Sequence, residues 1–323
     1  MMKLRELLNG LDILETNAEP DSDIREVRYD SRLVESGDLF IAVTGAETDG
    51  HKYIGAAINA GATAILVQKG ALLPDIPEDI TILYTENTRM TLAQLAAAFY
   101  GHPERNLKII GVTGTNGKTT VTTLIKSILE FEGKSTGLIG TNANMIGTKT
   151  LPTERTTPES LELFALFAQM VSEGVEYVVM EVSSHSLDLY RVYGITFCVG
   201  VFTNLTQDHL DFHVTMENYL NAKKKLFLQS NCGVINADDK AGRSILADSV
   251  CPMTSFAIDS MADIVASDIK ISARGVIFKI TYEKKDYTVR LGIPGKFSVY
   301  NALAAIGAVA AAGIEVDRAV EAL

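Results

Sequence analysis

The stretch Ile109-Ile110-Gly111-Val112-Thr113-Gly114-Thr115-Asn116-Gly117-Lys118-Thr119-Thr120 decides the fold of this chain. Its apolar start predicts a buried strand, its glycines predict a tight loop, and the residues from Thr119 to Glu132 predict a helix. Glycines let backbone N–H groups approach a polyphosphate closely, and the positive end of the following helix favours an anion at the same place. The order strand, loop and helix is therefore typical of a phosphate-binding loop.

Two side chains of this loop are expected to act directly on a nucleotide. The Lys118 amine can reach the terminal phosphates, and the Thr119 hydroxyl lies where phosphate-loop proteins bind Mg²⁺. The strict loop pattern has a glycine five residues before Gly117, where this chain has Val112, and the additional glycine here is Gly114. We therefore predict a variant phosphate loop. A glycine-rich turn with a chance Lys-Thr pair is the alternative.

The composition restricts the classes of protein to which the chain can belong. With 323 residues, of which 47% are hydrophobic, the chain is long enough for more than one packed core. Its net charge of −11 argues against a nucleic-acid partner, because a surface that binds nucleic acid is basic. The N-terminal segment is too short and too charged for a signal peptide, and no apolar run has transmembrane length. The three cysteines lack the spacing of a paired motif. We expect a cytoplasmic protein with free thiols and no membrane contact.

Strands and helices alternate along the chain, which predicts parallel sheets covered by helices and hence an α/β fold. We expect a small N-terminal α/β domain over residues 1–88, which begins with an amphipathic helix over residues 3–14. Residues 89–323 are expected to form a central P-loop domain with a parallel sheet and a small antiparallel patch, where residues 277–291 predict a hairpin. The chain ends inside what looks like another helix, so we expect a piece of a longer protein.

Polar side chains follow one predicted strand, 177–182, at the edge where ligands of parallel sheets bind. Glu181 ends this strand and is expected to complete the Mg²⁺ site that begins at Thr119, the alternative being a carboxylate that caps a loop. Residues 183–185, Ser-Ser-His, follow at once. Because the G-x-S-x-G pattern of hydrolases is absent, we expect these side chains to bind a ligand or to pack within a loop rather than to act as a nucleophile and base.

His209 and His213 lie four residues apart, which is the spacing of a zinc site on a helix. Leu210, however, replaces the glutamate that follows the first histidine in metalloproteases. Two interpretations stay open for His209: a ligand to a second Mg²⁺, and a loop histidine that makes a hydrogen bond.

Lys223 belongs to a run of three lysines on the predicted helix 216–229. Its neighbours one helical turn away are largely apolar, among them Tyr219 and Phe227, so we expect its side chain to point into the protein. Burial and neighbouring cations lower the pKa of such an amine, and a neutral amine can react with CO₂ to form a metal-binding carbamate. The alternative is a lysine that lies along apolar surface with its amine in water.

Together these motifs resemble the ATP-dependent Mur ligases of bacterial cell-wall synthesis, and the resemblance extends over the whole chain. It is carried by Asp30-Ser31-Arg32, Gly37–Phe40, Asp49-Gly50-His51, Gly114–Thr120, Thr156-Thr157-Pro158, Glu181–His185, Thr203-Asn204-Leu205, Asp208–Asp211 and Asn221-Ala222-Lys223. The Gly-Thr-Asn-Gly-Lys-Thr loop is shared with folylpolyglutamate synthases, whereas the run Glu181–His185 points to the branch of the family that adds the third amino acid of the peptide.

The resemblance implies an ATP site, two Mg²⁺ ions and a carbamate on Lys223. The residues that would bind ATP are Gly114, Thr115, Asn116, Gly117, Lys118, Thr119, Thr120 and, near the adenine, Asn301. Lys118, Glu181, His209 and Lys223 would be catalytic. Thr119 and Glu181 would bind one Mg²⁺, and His209 would share the second with the carbamylated Lys223.

The resemblance also implies where the substrate binds. Uridine diphosphate would contact Ser31 and the turn Ala46-Glu47-Thr48, and the muramoyl-dipeptide would contact Thr156, Thr157, Ser183 and Arg191. The sequence departs from the usual family pattern at Ser298, where asparagine follows Gly-x-Phe, and at Arg155, where asparagine often precedes the two threonines.

The implied reaction adds diaminopimelate or lysine to UDP-MurNAc-L-Ala-D-Glu through an acyl phosphate, with release of ADP, in the peptidoglycan synthesis that supports cell shape and cell division. The family's third domain, which carries the amino-acid pocket, is expected to be missing, so the amino acid is not specified and turnover is expected to be poor. We expect a monomer. The alternatives are a MurF-type ligase, a folylpolyglutamate synthase and a noncatalytic nucleotide-binding module.

Overall fold

The computed structural model describes residues 1–11, 13–17, 21–45 and 48–323, and the chain divides into two compact units. The first unit comprises Met1–Pro103, Glu159–Ala168 and Leu189–Gly194, and the second comprises Glu104–Pro158, Gln169–Asp188 and Ile195–Leu323. The N-terminal part of the first unit extends beyond the boundary predicted near residue 88, because the helix Thr88–Phe99 packs on strands of that unit.

The first unit is a small α/β unit with short strands. In chain order its strands are β1 (Met2–Lys3), β2 (Glu15–Thr16), β3 (Asp23–Ile24), β4 (Val27–Arg28), β5 (Leu39–Ile41), β6 (Ala64–Gln68) and β7 (Thr81–Thr85). Its helices are α1 (Leu4–Leu7), α2 (Ile54–Asn59) and α3 (Thr88–Phe99), with 3₁₀ turns at Ser31–Leu33 and Gly50–Tyr53. Among the described residues, β4 to β7 form a parallel sheet in the order β7-β6-β5-β4, and β2 adds to β7 in the antiparallel direction.

The amphipathic helix predicted over residues 3–14 is wrong in its length. Among the described residues of this segment, only Leu4–Leu7 is helical, with Leu4 and Leu7 buried. The backbone leaves the helical conformation soon afterwards, and Gly10 has φ +78°, a left-handed conformation that a helix cannot contain. The apolar residues of this segment therefore reach the core of the first unit from a short helix and a turn.

The second unit contains a long sheet and most of the helices. Its strands are β8 (Lys108–Thr113), β9 (Thr136–Ile139), β10 (Asn144–Ile146), β11 (Lys149–Leu151), β12 (Tyr177–Glu181), β13 (Val199–Phe202), β14 (Gly233–Asn236), β15 (Met253–Ala257), β16 (Ile264–Ser272), β17 (Gly275–Tyr282) and β18 (Lys285–Leu291). The helices are α4 (Lys118–Phe131), α5 (Ser160–Ser172, which begins in the first unit), α6 (Ser184–Asp188), α7 (Leu210–His213), α8 (Met216–Leu228), α9 (Lys240–Ala247), α10 (Lys296–Ala311) and α11 (Val316–Glu321). A 3₁₀ turn, Pro103–Asn106, precedes β8.

The strand order of the second unit is β11-β10-β9-β12-β8-β13-β14-β15-β16-β17-β18. The strands from β9 to β16 in this order are parallel, and β8, which leads into the phosphate loop, lies between β12 and β13. The predicted antiparallel patch is confirmed at β16–β18, and a second one, which the sequence interpretation missed, lies at the opposite edge in β10 and β11. The predicted α/β fold class is confirmed.

Helices α4 and α10 pack against each other over neighbouring parts of this sheet, α4 on β8, β9 and β12 and α10 on β13, β14 and β15. The α4 side contributes Val121 and Ile125, and α10 contributes the buried run Ala302–Val309, which is rich in alanine. Small residues let a helix approach closely, and a Cβ on Gly307 would lie 2.8 Å from the Val234 side chain of β14. None of the helices in the described part of the chain is both long and apolar enough to cross a membrane.

Candidate active site

The loop between β8 and α4 has the geometry of a phosphate-binding loop. Gly117 caps α4 with φ +88° and ψ −10°, a conformation that favours glycine. Lys118 begins the helix, and its Nζ donates to the carbonyl oxygens of Gly114 and Thr115, both at 2.9 Å. Burial lowers the pKa of Lys118, an effect that Glu181 and other acidic charge partly oppose. The predicted strand–loop–helix order is confirmed.

A buried carboxylate lies beside this loop. Glu181, at the end of β12, is 1% exposed and accepts a hydrogen bond from Thr119 Oγ1 at 2.9 Å. Thr141, at the end of β9, donates to the same carboxylate through its N–H at 3.0 Å and its hydroxyl at 3.1 Å. Gly140 permits this approach, because a Cβ there would lie 2.5 Å from Glu181 Oε1. Three adjacent parallel strands thus converge on one carboxylate.

The oxygens of Thr119 and Glu181 fit a Mg²⁺ ion. Mg²⁺ binds oxygens in octahedral geometry at about 2.0–2.1 Å, which places adjacent ligands about 3 Å apart. The observed 2.9 Å between Thr119 Oγ1 and Glu181 Oε1 matches that separation. Among the described residues, no group of three or more His, Cys, Asp or Glu could hold a metal. The remaining ligands of an ion here would therefore be phosphate and water, as is usual for Mg²⁺.

Hydroxyl groups surround the far side of Glu181. Thr157 Oγ1 donates to the carbonyl oxygen of Glu181 at 2.8 Å and accepts from the Ser183 N–H at 3.1 Å. Thr156 Oγ1 lies 3.0 Å from Thr141 Oγ1. The structure therefore brings Thr156, Thr157 and Ser183, the predicted substrate contacts, to the same edge as Thr119 and Glu181.

Lys223 points into the protein, as its helical neighbours predicted. It is 1% exposed, and its Nζ lies 4.4 Å from the centre of the Tyr219 ring. Burial, and then the charge of Lys118, hold the pKa of Lys223 well below its usual range. Tyr219 in turn places its hydroxyl 3.2 Å from Thr115 Oγ1 of the phosphate loop. The amine thus lies close to the loop, in surroundings that disfavour its charged form.

The two histidines at spacing four differ in environment. His209 is half-exposed, and its ring centre lies 6.1 Å from that of Tyr219. His213 is buried, stacks on Tyr219 at 4.9 Å and has its pKa lowered by burial. The two rings therefore differ in exposure, although both lie near Tyr219 and His185. Among the described residues, no third ligand completes a zinc site with them.

The structure also decides the hydrolase alternative. The histidine beside Ser184 is His213, not His185, with Nε2 2.9 Å from Ser184 Oγ. Asp188 Oδ2 lies 3.3 Å from His213 Nδ1, so serine, histidine and aspartate follow one another as in a hydrolase. Ser184 is 2% exposed and the His213 side chain is fully buried, so the serine oxygen cannot attack a substrate.

A pocket of about 560 Å³ extends from the phosphate loop along the carboxyl ends of the strands. It is lined by Asn116, Thr203, Asn204, Thr206, Asn236, Asp238, Asp239, Phe256, Phe297, Tyr300 and Asn301. Asn301 approaches the loop so closely that a Cβ on Gly117 would lie 2.5 Å from its Oδ1. Phe297 is 77% exposed and offers an aromatic face at the pocket. An exposed aromatic ring at a pocket beside the phosphate loop suits the nucleoside of a nucleotide.

The predicted contacts in the first unit are only partly visible. Ser31 begins a 3₁₀ turn, and Thr48 Oγ1 lies 3.4 Å from the Tyr53 hydroxyl. Arg191 pairs with Glu159 at 2.8 Å. Ala46 and Glu47 lie outside the described residues. The roles predicted for these five contact residues, Ser31, Ala46, Glu47, Thr48 and Arg191, stay predictions, as does that of Thr120, which lies in the first turn of α4.

Sequence interpretation missed three residues of this edge: Thr141, Tyr219 and Phe297. Thr141 could have been found, because the run Ser135–Gly140 before it predicts a short strand, and ligand-binding residues of parallel sheets follow strands. The sequence marks Tyr219 only as an apolar neighbour of Lys223, because its contact with Thr115 joins segments that are distant in the chain. Nothing in the local sequence marks Phe297 as an exposed aromatic.

Two family models match the chain where these features lie. Residues 112–309 match the Mur ligase middle domain, and residues 23–100 match the catalytic domain of the Mur ligase family. The chain therefore belongs to the Mur ligase family, whose members use ATP and Mg²⁺. The resemblance predicted from the motifs is confirmed.

Within this family the chain is similar to proteins named UDP-N-acetylmuramoyl-L-alanyl-D-glutamate–2,6-diaminopimelate ligase. The relative from Clostridium perfringens is 47% identical over 327 residues, which cover 100% of this chain and 67% of the relative. The relative from Clostridium tetani is 47% identical, and the match covers 97% of this chain and 64% of the relative. A solved structure of such a ligase superposes with a TM-score of 0.83 at 26% identity, over 99% of this chain and 66% of that one. The chain thus spans about two thirds of the length of these relatives.

The close approach at Gly140 leads to a prediction about metal binding. In Gly140→Ala the new methyl group displaces the Glu181 carboxylate, so we expect affinity for Mg·ATP to fall about tenfold or more, with about 1–3 kcal/mol of destabilisation from overpacking. Titration calorimetry with ATP, with and without Mg²⁺, measures this. Gly292→Ala is the matched control, because a Cβ there meets nothing within 4 Å. An unchanged dependence on Mg²⁺ in Gly140→Ala would contradict the assignment of Glu181.

The burial of Lys223 leads to a prediction about stability and pH. Lys223→Met keeps the side-chain length without the amine, so we expect the free energy of unfolding at neutral pH to rise by on the order of 1–3 kcal/mol. A lysine whose pKa is lowered on folding destabilises the protein at low pH, and this penalty disappears as the pH rises toward the ordinary lysine pKa. The stability difference between the two proteins should therefore shrink as the pH is raised from 7 toward 10. Denaturant unfolding at several pH values tests this, and a constant difference would contradict it.

Proposed function

We propose that this chain forms the nucleotide- and UDP-sugar-binding parts of an ADP-forming ligase that joins diaminopimelate to UDP-MurNAc-L-Ala-D-Glu in peptidoglycan synthesis. The observation that carries the proposal is the Thr119–Glu181 pair beside the phosphate loop, with the buried amine of Lys223 at the same edge. The relatives supply the choice of substrates, since they are 47% identical and named for this reaction. A MurF-type ligase, a folylpolyglutamate synthase and a noncatalytic module remain the alternatives.

The main physical difficulty of this reaction is repulsion between anions. The D-Glu carboxylate of the substrate must approach the γ-phosphate of ATP, and the protein itself carries a net charge of −11. Two Mg²⁺ ions would supply positive charge that draws the reacting oxygens together. Thr119 and Glu181 would hold the first ion, and His209 the second.

Lys118 and the loop backbone would supply the remaining positive charge. In the structure its amine donates to two carbonyl oxygens of the loop itself, Gly114 and Thr115. A terminal phosphate is a stronger acceptor than a carbonyl oxygen, so the amine would turn to it once nucleotide enters. The loop N–H groups would bind the other phosphates at the start of α4. In the first step a carboxylate oxygen of D-Glu would attack the γ-phosphorus of ATP, and ADP would leave to give an acyl phosphate. The amine of diaminopimelate would then attack the acyl carbon, inorganic phosphate would leave, and loss of a proton from the nitrogen would complete the amide.

Lys223 is suited to carry a carbamate. Its pKa is lowered by burial and by Lys118, which raises the share of the reactive neutral amine. Carbamylation would exchange a poorly placed cation for an anion that can share the second Mg²⁺ with His209. The anion would also be close to Lys118, whose charge now disfavours the protonated amine.

The substrate would be held by the residues that the resemblance assigns to it. Thr156, Thr157 and Ser183 would hold the dipeptide near Glu181, and Arg191 would contact it as well. Ser31 and Thr48, with Ala46 and Glu47, would bind the uridine diphosphate. We infer that the protein works as a monomer in the cytoplasm, where ATP and the nucleotide-linked precursor are both present.

A binding experiment separates the proposed substrate from its alternatives. We expect the chain to bind UDP-MurNAc-L-Ala-D-Glu at least about tenfold more tightly than UDP-MurNAc-tripeptide or dihydropteroate. Isothermal titration calorimetry with each compound, in the presence of Mg²⁺ and a nonhydrolysable ATP analogue, measures the three affinities. Preference for the tripeptide would favour a MurF-type ligase, and preference for dihydropteroate a folylpolyglutamate synthase. Binding of nucleotide alone would favour a noncatalytic module.

The carbamate is tested separately by isotope labelling. In ¹³C-bicarbonate the protein should show a carbamate carbonyl signal by NMR and the added mass of one CO₂ by native mass spectrometry. Lys223→Ala should lose both, because the neutral amine is gone. Lys225→Ala is the control, since Lys225 lies on the same helix but pairs with Asp188. A signal that persists in Lys223→Ala would place the carbamate elsewhere, and no signal in the unaltered protein would refute it.

A further inference from the structure

His213 is a buried histidine that the proposed reaction does not use. Its side chain is fully excluded from solvent, and its ring stacks on Tyr219 with 4.9 Å between ring centres and 25° between planes. The stack fixes the plane of the imidazole and therefore the direction of its two nitrogens. Nε2 lies 2.9 Å from Ser184 Oγ, and Nδ1 lies 3.3 Å from Asp188 Oδ2.

These partners determine which nitrogen carries the proton. The Asp188 carboxylate can only accept, so it favours the tautomer of His213 with hydrogen on Nδ1. Nε2 is then an acceptor, and the Ser184 hydroxyl donates to it. Nδ1 makes no well-aligned hydrogen bond within the described residues, so the bond to Ser184 is the directional one.

Ser184 is the residue after Ser183, which is a proposed substrate contact. The Ser183 N–H donates to Thr157 Oγ1 at 3.1 Å, and Ser183 Oγ accepts from the Ser186 N–H at 3.1 Å. Ser183 and Ser184 share a peptide group, so a constraint on the Ser184 side chain limits rotation of the backbone that carries Ser183. The buried bond to His213 supplies that constraint from outside the loop.

The backbone of His213 is hydrogen-bonded to α8, the helix that carries Lys223. The carbonyl oxygen of His213 accepts from Asn218 Nδ2 at 3.0 Å, and Thr215 Oγ1 caps α8 by accepting from the Asn218 N–H at 3.1 Å. His213 therefore cannot shift without disturbing the start of α8. Its imidazole connects a fixed helix terminus to the loop that follows β12.

We propose that His213 is a positioning residue for the dipeptide: it holds Ser184, and through the shared peptide it orients Ser183 toward the substrate. This inference rests on the proposed function, because it assigns to Ser183 a contact with the dipeptide. His213 itself touches neither nucleotide nor substrate. It acts on the affinity for the dipeptide portion and not on the affinity for the nucleotide.

A matched control is available on α6 and α8, the two helices that the His213 ring contacts through Ser184 and Tyr219. Lys225 of α8 donates to Asp188 Oδ1 of α6 and so ties the same two helices without contacting Ser184. If His213 only held α6 and α8 together, removal of Lys225 would weaken dipeptide binding to a comparable extent. If His213 orients Ser184, Lys225→Met leaves dipeptide binding unchanged.

Conservative substitutions of His213 separate its contacts. The amide of Gln can replace Nε2 and keep the bond to Ser184, whereas the shorter amide of Asn replaces Nδ1 and loses that bond. We expect His213→Asn and Ser184→Ala each to weaken binding of UDP-MurNAc-L-Ala-D-Glu about tenfold. His213→Gln should stay within about threefold of the unaltered protein, and the double variant Ser184→Ala/His213→Asn should lose no more than either single variant. Affinities for UDP alone and for Mg·ATP should stay within about twofold in all of them.

Titration calorimetry with the three ligands and thermal unfolding of each variant make the test. The inference is overturned if His213→Gln binds the dipeptide substrate no better than His213→Asn, or if Ser184→Ala binds it as the unaltered protein does. It is also overturned if the variants lose all three ligands together with stability, since that pattern belongs to a purely structural residue. An unaltered protein that binds Mg·ATP and UDP but gains nothing from the dipeptide would refute the proposed function, and this inference with it.

Discussion

A carboxylate held beside a phosphate loop is the constraint on which the rest of the second unit depends. Glu181 is 1% exposed and lies where the phosphates of a nucleotide would increase its electrostatic cost. Three hydrogen bonds from Thr119 and Thr141 satisfy its two oxygens. A cation between carboxylate and phosphate would turn the remaining repulsion into attraction. The strand order β9-β12-β8 makes this arrangement possible, because it places the ends of the three contributing strands next to one another.

Lys223 poses the opposite problem, a cation in a place that disfavours cations. Helix α8 presents Tyr219, Leu226 and Phe227 to the interior, and the lysine shares that face. Desolvation and the charge of Lys118 both act against its protonated form. Functional sites typically contain residues that destabilise the folded state, where an apolar residue would be more stable. This cost supports the proposal that the amine is converted into a metal-binding group.

The sequence predicts those parts of the site that depend on short stretches of chain. The phosphate loop is recognisable because Gly117, Lys118 and Thr119 lie within three residues, and Lys223 is predicted to be buried because helical spacing alone defines its neighbours. The α/β class follows from the alternation of strands and helices. The hairpin 277–291 follows from period-two patterning, and it is confirmed as β17 and β18.

Other parts depend on contacts between distant segments and could not be predicted in this way. His213 was weighed as a metal ligand with His209, yet its partners are Ser184 and Tyr219, which are set by the packing of α6 against α8. The edge hairpin of β10 and β11 has strands of only three residues, too short for a clear alternating pattern. The amphipathic pattern over residues 3–14 is genuine, but the backbone turns at Gly10 and ends the helix early.

The strand order also explains how two anionic ligands can share one edge of a sheet. The pocket runs from the phosphate loop after β8 past the ends of β13 and β14 to Phe256 of β15. Neighbouring strands lie about 4.8 Å apart, so the pocket crosses about 14 Å of the sheet edge. In the proposed reaction it would take the nucleoside of the nucleotide. Thr156, Thr157 and Ser183 lie on the other side of β8, around the end of β12. In the proposed reaction the acid therefore approaches from one side of the loop and the nucleotide from the other, and they meet at Lys118 and Thr119, where the positive charge is concentrated.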